Sequence, residues 1–429
     1  MLRRIKQELA EGRNLITFTT LRVGEQVLGV VMPLMVAKLF SSELFASYSL
    51  ARMVIFFVAA LTISAAQRPF IVYANQEREK TGKINRSFST QCIFVVVSLW
   101  LYLIVVLLFA GPIKSFAKIS TADLVFVSLA FVGFAAKVFI CNLFMALGQR
   151  TKNALAGLTY EAAAVFFIVF FYTVDRINLH SVFLVYFLSS VFLFVIFVKK
   201  IDFSLLHPFE LDLIHFKGML AFTNWVMLGA TAGYFVNWGD NLVLRFFVPM
   251  QQIGIYNFSY LIFKGLMLLI VALQQYFLPF ISQHIDNKEK LHNYLYVKRP
   301  KVMALGLLVL VGAFFLLPYI LNPIYGSVYF KWDVVLRILL IATAVRLYVI
   351  FYYPLFDALK KYRYITLAVV VQITVNIVLD LVFVPYIGIL GAAVATVIAY
   401  FCSAILMEVY YRLHIRGLVV YDKRNNTSV

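Results

Sequence analysis

Long apolar runs separated by short polar segments dominate the pattern of this chain. Each run is close to the roughly 20 residues that a helix needs to cross a bilayer. The pattern therefore predicts an all-α polytopic membrane protein with about twelve transmembrane helices. The predicted spans are 15–38, 46–72, 88–111, 122–146, 154–174, 181–198, 218–243, 254–282, 302–321, 334–358, 365–384 and 389–411.

Parts of the chain resemble one another at a spacing of about 210 residues. FASY at 45–48 and IGIY at 253–256 each open an apolar run that closes on the tripeptide PFI. FMAL at 144–147 and FDAL at 356–359 each end one. The chain thus consists of two related membrane halves, and many transporters build a central cavity between such halves and open it to alternate sides.

Charged and proline-containing residues interrupt the apolar pattern between the sixth and seventh spans. We place the boundary of the two lobes there. The predicted N-lobe is 1–198 with helices one to six, 199–217 is a cytoplasmic linker, and the predicted C-lobe is 218–429 with helices seven to twelve and a cytoplasmic tail.

The distribution of basic residues orients this map. Most of the 38 Lys and Arg residues lie in the even-numbered connections and the two termini, and few lie in the odd-numbered connections. By the positive-inside rule, both termini are expected in the cytoplasm. The same loops account for most of the net charge of +18 without nucleic acid, and anionic membrane lipids are the expected partners of this basic surface.

Composition excludes several classes of protein. Hydrophobic residues make up 63% of the chain and charged residues 14%, whereas a soluble domain has about a quarter charged residues. The six His and three Cys are scattered without ligand spacing, so we expect no metal site. The first fourteen residues are basic without a cleavage pattern, so no cleaved signal peptide is expected.

Cationic side chains within the spans are the first candidates for a binding site. Such residues are costly in a bilayer and normally face a bundle interior or a watery cavity. Arg337 lies near the end of its span and can reach the interface, and the role of Lys137 stays open. The deeper cations, which we expect to line a substrate cavity, are Arg22, Arg52, Lys264 and Arg346.

Acidic side chains within the spans are the second group. Glu25 lies three residues after Arg22, so the two are expected to pair on one helix face. Glu161 could pair with Arg150 or titrate during transport. Asp380 belongs to a polar stripe that serves either helix–helix hydrogen bonding or function. The candidates for ion coupling or for polar cavity positions are Glu25, Glu161, Asp240 and Asp380, with the coupling ion, H⁺ or Na⁺, left open.

One segment near the C-terminus resembles a hallmark of polysaccharide exporters. It runs from NIVLD at 376–380 through PYIGILGAAVAT at 385–396. The chain is similar to members of the multidrug/oligosaccharidyl-lipid/polysaccharide (MOP) exporter superfamily, and within it to bacterial O-antigen flippases of the Wzx type.

That resemblance implies a function and a site. It implies two six-helix lobes in the bacterial inner membrane that move an undecaprenyl-diphosphate-linked oligosaccharide from the cytoplasmic to the outer leaflet. A polysaccharide polymerase and a chain-length regulator are implied partners. In the related peptidoglycan-precursor flippase, cations on helices one, two and eight line the cavity. Arg22, Arg52 and Lys264 lie on the comparable helices here.

Two other functions stay open at this point. A drug antiporter on the same fold would bind cations through acidic residues such as Glu25, Glu161 and Asp380. A membrane polysaccharide polymerase would need an external site, and the predicted external connections are short. No nucleotide loop, zinc spacing or catalytic triad stands out, so we expect a transporter without an organic cofactor rather than an enzyme.

Overall fold

The computed structural model describes residues 2–285, 287–329, 332–359 and 361–416, and nearly all of these residues are helical. No strand occurs within these ranges. Residues 417–429 of the predicted cytoplasmic tail lie outside them. The helices are α1 (Leu2–Leu39), α2 (Ser42–Leu61), α3 (Ile63–Thr81), α4 (Asn85–Ala117), α5 (Thr121–Ala146), α6 (Arg150–Thr173), α7 (Leu179–Phe197), α8 (Leu213–Phe247), α9 (Met250–Gln283), α10 (Lys288–Asn293), α11 (Arg299–Tyr325), α12 (Trp332–Val349), α13 (Tyr353–Ala358), α14 (Tyr362–Ile387) and α15 (Ile389–His414).

Every predicted span coincides with one of these helices or with a consecutive pair. Within the described ranges, 11 helical segments are long and apolar enough to cross a membrane. The exception is α12, because its 18 residues include Asp333, Arg337 and Arg346. The prediction of an all-α polytopic membrane protein is confirmed.

Two predicted spans are interrupted in the structure. The span 46–72 breaks at Thr62, whose backbone leaves the helical region at φ −127° and ψ −93°. The Thr62 hydroxyl donates to the Val58 carbonyl at 2.7 Å, a side-chain bond that competes with the helical ladder and bends helices. The result is α2 followed directly by α3.

The span 334–358 also divides, and here a proline supplies the reason. α12 ends at Val349, and α13 begins at Tyr353, with Pro354 in its first turn. Proline has no N–H to continue the ladder, and its ring disfavours helical geometry in the residue before it. Residues 350–352 therefore form a turn inside what the hydropathy pattern predicts as one continuous helix.

Short polar sequences define several helix starts. Ser120 accepts from the Asp123 amide while the Asp123 carboxylate accepts from Ser120, and Asn178 and Ser181 make the same reciprocal arrangement before α7. Each pair satisfies amides that have no partner inside the helix. These caps begin α5 and α7 at the residues observed.

The chain divides into two compact units, residues 1–234 and residues 235–429, with the division inside α8. The first unit is packed around clusters that include Phe70, Leu147 and Phe144. The second has a core that includes Phe277 and Phe351. The lobe boundary predicted at 199–217 stays a prediction.

Candidate functional site

The eight candidate residues are divided equally between the two units. Those of the first unit are Arg22, Glu25, Arg52 and Glu161, and those of the second are Asp240, Lys264, Arg346 and Asp380.

In the first unit, four side chains of alternating charge form a continuous chain. Arg22 contacts Glu25 at 2.5 Å, Lys137 contacts Glu25 at 3.4 Å, and Lys137 contacts Glu161 at 2.6 Å. The side chains of Glu25, Lys137 and Glu161 are each between 13 and 16% exposed. Removing one partner of such a buried pair leaves an uncompensated charge, which is strongly destabilising. The chain therefore fixes α1, α5 and α6 to one another.

Neighbouring groups hold this charge chain in place. Arg22 also donates to the Asn153 side-chain oxygen, and Asn153 donates to the Cys141 carbonyl at 2.5 Å. Gly157 faces the Glu25 carboxyl so closely that a Cβ at this position would overlap it. Glu25 thus depends on a glycine of α6 for its place.

Arg52 lies in an aromatic cage instead of an ion pair. Its Cζ is 5.2 Å from the ring centroid of Tyr48, 5.4 Å from that of Phe56 and 5.9 Å from that of Tyr186. The Arg52 Nε is buried without a hydrogen-bond partner, and no carboxylate among the described residues lies within 4 Å of the guanidinium. Aromatic faces stabilise a cation without neutralising it, so this charge remains available to an anion.

The sequence predicted part of this arrangement. The Arg22–Glu25 pair is confirmed. Lys137, whose role the sequence left open, is the central member of the chain. Glu161 pairs with it and not with Arg150. The separation of 24 residues between Lys137 and Glu161 gives no local spacing signal, so only the packing of α5 on α6 shows the pair.

In the second unit, a cluster of oxygen atoms takes the place of the ion-pair chain. Asp240 on α8 accepts hydrogen bonds from the hydroxyls of Tyr256 and Thr396, the latter at 3.2 Å. Asn376 on α14 donates to the Thr396 hydroxyl at 3.5 Å. Three helices and the start of α9 therefore meet at one buried carboxylate.

The Asp380 carboxyl completes this cluster. Asp380 is fully buried, its carboxyl lies against that of Asp240, and neither of its oxygens has a hydrogen-bond donor among the described residues. Two adjacent carboxyls in an apolar surrounding repel one another when both are ionised. Ionisation of both carboxyls at once is therefore unfavourable.

The remaining candidates of the second unit contact aromatic rings. The Lys264 ammonium lies 4.6 Å from the Trp238 centroid and 5.1 Å from that of Tyr260. Arg346 donates to the Tyr353 hydroxyl, with its Cζ 4.2 Å from that ring. These contacts hold both half-buried cations against aromatic rings.

The likeness of this chain to known proteins is one of fold more than of sequence. It matches no protein-family model. One curated relative, the "Probable low-salt glycan biosynthesis flippase Agl15" of Haloferax volcanii, is 22% identical over 218 residues, which is 50% of this chain and 45% of that protein. The chain thus matches less than half of the length of this relative.

Solved structures cover almost the whole chain. The lipid II flippase MurJ in an inward closed conformation covers 92% of it, with a TM-score of 0.70 at 17% identity and 87% of its own length matched. An inward-facing multidrug resistance MATE family transporter covers 96%, with a TM-score of 0.72 at 16% identity and 96% of its length matched. The chain therefore has the fold of these two membrane transporters. The Vibrio cholerae MATE transporter VcmN agrees, at a TM-score of 0.63 and 11% identity over 93% of this chain and 97% of its own.

Proposed function

We propose that the chain is a flippase that moves an undecaprenyl-diphosphate-linked oligosaccharide, an O-antigen or other surface polysaccharide unit, from the inner to the outer leaflet by alternating access. The supporting likenesses are a lipid II flippase of the same fold and a glycan biosynthesis flippase in sequence. The former flips lipid II, and the latter is a probable flippase of low-salt glycan biosynthesis.

The observation that carries the proposal is the aromatic surrounding of Arg52, which contains no carboxylate among the described residues. A diphosphate cannot cross hydrocarbon without charge compensation, and a fixed cation supplies it. A cation already neutralised by a carboxylate is a poor anion ligand, and Arg52 has aromatic neighbours in that place. Arg22, Lys264 and Arg346 are assigned to the same substrate, with Arg22 the least available because Glu25 pairs with it.

Ion coupling is assigned to the carboxyl pair of the second unit. The carboxyls of Asp240 and Asp380 are buried next to each other, with hydroxyl and amide groups around them. This arrangement suits either a proton shared between the carboxyls or a Na⁺ ion bound by their oxygen atoms. Glu25 and Glu161 are weaker candidates, because Lys137 forms an ion pair with each of them.

The proposed location follows the distribution of charge. We place the chain in a bacterial inner membrane with both termini in the cytoplasm, where its basic loops contact anionic lipids. A polymerase and a chain-length regulator on the outer side would receive the product. Nucleic acid has no part in this proposal.

A drug/cation antiporter is the second candidate. Multidrug MATE transporters share the fold at similar TM-scores, and the Asp240–Asp380 pair resembles what a cation-driven pump requires. A polymerase has less support, since the odd-numbered connections within the described ranges, such as 40–41, 118–120 and 248–249, hold only a few residues.

The experiment is a flipping assay in proteoliposomes with a fluorescent prenyl-diphosphate oligosaccharide, in which external dithionite bleaches the probe that has reached the outer leaflet. The wild type should flip the probe, and Arg52→Gln should slow flipping at least tenfold, about the loss of one charge-assisted contact. Arg337→Gln is the matched control, because Arg337 is 39% exposed and pairs with Asp333 at 3.8 Å.

Charge-balanced variants separate binding from folding. Arg22→Gln combined with Glu25→Gln removes an ion pair without stranding a charge, and it should slow flipping less than Arg52→Gln does. Wild-type rates in Arg52→Gln would refute the assignment of Arg52. Cation-driven dye efflux without any flipping of the lipid probe would favour the antiporter.

A further inference from the structure

A groove opens on the second unit between α11, α12 and α15. Its basic half has a volume of about 630 Å³, and its apolar half about 620 Å³. The halves are continuous, because both are lined by the same five side chains. These shared residues are Met303, Leu307, Tyr348, Glu408 and Arg412. We refer to the whole as the arginine groove.

Arg299 forms the floor of the basic half. Its Cζ lies 4.4 Å from the ring centroids of both Tyr348 and Tyr352. It donates to the Tyr352 hydroxyl at 2.7 Å and to the Tyr348 carbonyl at 3.1 Å. Within the described ranges no carboxylate lies within 4 Å of its guanidinium. The charge of Arg299 is thus held in place without being neutralised.

A glutamate and a second arginine fix the tyrosines around Arg299. The Glu408 carboxylate accepts from the Tyr352 hydroxyl at 2.5 Å, from the Tyr348 hydroxyl at 2.9 Å and from the Arg412 Nε at 2.6 Å. Arg416 lines the same half and is exposed. Three arginines face one glutamate, so the basic half has a positive balance.

The apolar half is open along its side. Leu307, Ile341, Phe401 and Ile405 are between 42 and 61% exposed in the chain alone. Leu307, Phe401 and Ile405 lie on helices that are long and apolar enough to cross a membrane, and Ile341 lies on α12. Such side chains face acyl chains when the protein is in a bilayer. A lipid can therefore lie along this wall without any rearrangement of the protein.

We propose that the arginine groove binds one anionic glycerophospholipid, with the phosphate at Arg299 and Arg416 and the acyl chains along the apolar half. The basic half lies at the end of the second unit that the positive-inside rule assigns to the cytoplasm, where the anionic lipids of a bilayer concentrate. A phosphodiester supplies the negative charge that this end lacks, and arginine matches phosphate oxygens with paired donors. The site goes beyond transport, because it binds a lipid that is not carried across.

Native mass spectrometry of the full chain in detergent tests this assignment. Titration with phosphatidylglycerol and with phosphatidylcholine of identical acyl chains should show tighter binding of the anionic lipid. Arg299→Gln should weaken phosphatidylglycerol binding about tenfold to a hundredfold, the loss of a charge-assisted hydrogen bond. Arg363→Gln is the control, since Arg363 lies at the same end of the unit, outside the groove, where it donates to Tyr364.

A second variant moves the affinity in the opposite direction. Glu408→Gln keeps an acceptor for the two tyrosines and removes the one negative charge of the groove, so it should bind phosphatidylglycerol several-fold more tightly. A merely structural role of this cluster would make both Arg299→Gln and Glu408→Gln weaken binding.

Three further results would overturn the proposal. The first is equal binding of the two lipids by the wild type. The second is competition by glycerol phosphate at the same concentration as the intact lipid, which would mean that the basic half binds free phosphate. The third is preferential displacement of phosphatidylglycerol by farnesyl diphosphate, which would make the groove part of the substrate path.

Discussion

The two halves of the internal repeat place a buried tyrosine at the same position but give it different partners. Tyr48 and Tyr256 each direct the hydroxyl toward a side chain 16 residues earlier. In the first unit this side chain is Met32, with its sulfur 3.6 Å away, and in the second it is Asp240. The separation of 16 residues is common to both halves, while the chemistry of the partner differs.

Charge follows the same division. Beside Tyr48, the first unit has the cation Arg52 without a carboxylate partner. Beside Tyr256, the second unit has Asp240 and Asp380, and no basic side chain of the described residues lies within 4 Å of either carboxyl. The proposed function assigns an anionic substrate to the first of these sites and a coupling cation or proton to the second.

The largest effect on stability should come from breaking the buried ion pairs of the first unit. Lys137→Met leaves two carboxylates with one cation fewer, and we expect a loss of about 3–5 kcal/mol in the free energy of unfolding. Thermal unfolding in detergent measures it. Adding Glu161→Gln should recover part of the loss, because it removes the stranded charge.

The exposed pair Lys118–Glu43 provides the control. Its side chains are 52 and 60% exposed at a distance of 3.3 Å, and Lys118→Met should cost less than about 1 kcal/mol. Equal losses for Lys137→Met and Lys118→Met would contradict a structural role for the first unit's charge chain.

A more specific test of the difference between the two units exchanges the partner of Tyr256 for that of Tyr48. Asp240→Met gives the second unit the residue that the first has at this place. A cation present at a hundred times its Kd stabilises a protein by about 2.7 kcal/mol. The wild type should show such a shift with Na⁺ or with falling pH, and Asp240→Met should lose it. Met32→Leu should keep the shift, and a full shift in Asp240→Met would place the coupling ion elsewhere.

A smaller loss is expected where a glycine makes room for the first unit's charge chain. Gly157→Ala forces a methyl group against the Glu25 carboxyl, at a cost of about 1–3 kcal/mol in unfolding free energy. In Gly312→Ala the added Cβ meets nothing within 4 Å, so the change should be neutral or slightly stabilising. Equal melting temperatures of the two variants would mean that α1 and α6 separate easily.

The smallest effect is expected at an exposed site of the first unit. The backbone amides of His215 and Ile214, together with Arg86, hold the pKa of the Asp212 carboxyl below its usual range. A lowered pKa contributes stability above the unfolded pKa of about 3.9, and this stability is lost as the pH falls through the folded pKa. The difference in melting temperature between wild type and Asp212→Asn should therefore shrink below about pH 4. A difference that stays constant with pH would exclude a charge effect.

Hydropathy was sufficient to predict the spans, because a helix in lipid must satisfy its backbone internally and cover itself with apolar side chains. It was not sufficient for the breaks. The turn before Pro354 and the break at Thr62 both lie inside continuous apolar runs.

The candidate site divides in the same way. Arg22 and Glu25 are three residues apart on one helix, so their pairing was visible in the sequence. Asp240 and Asp380 were recognised separately as polar residues in apolar runs. Their meeting depends on how α8 packs against α14, which a single sequence does not specify.

The helical turn before Arg299 has a consequence of its own. Residues 294–298 form a π-helical turn between α10 and α11, and such a turn accommodates one more residue than an α-helix of the same length. Deleting a single residue there would return the segment to ordinary winding. Tyr294 donates a hydrogen bond to the Phe351 carbonyl at 3.1 Å. After the deletion, Tyr294 and Arg299 could no longer both keep their present contacts. The extra residue of the π-helical turn thus allows Tyr294 to pack in the protein interior while Arg299 lines the groove.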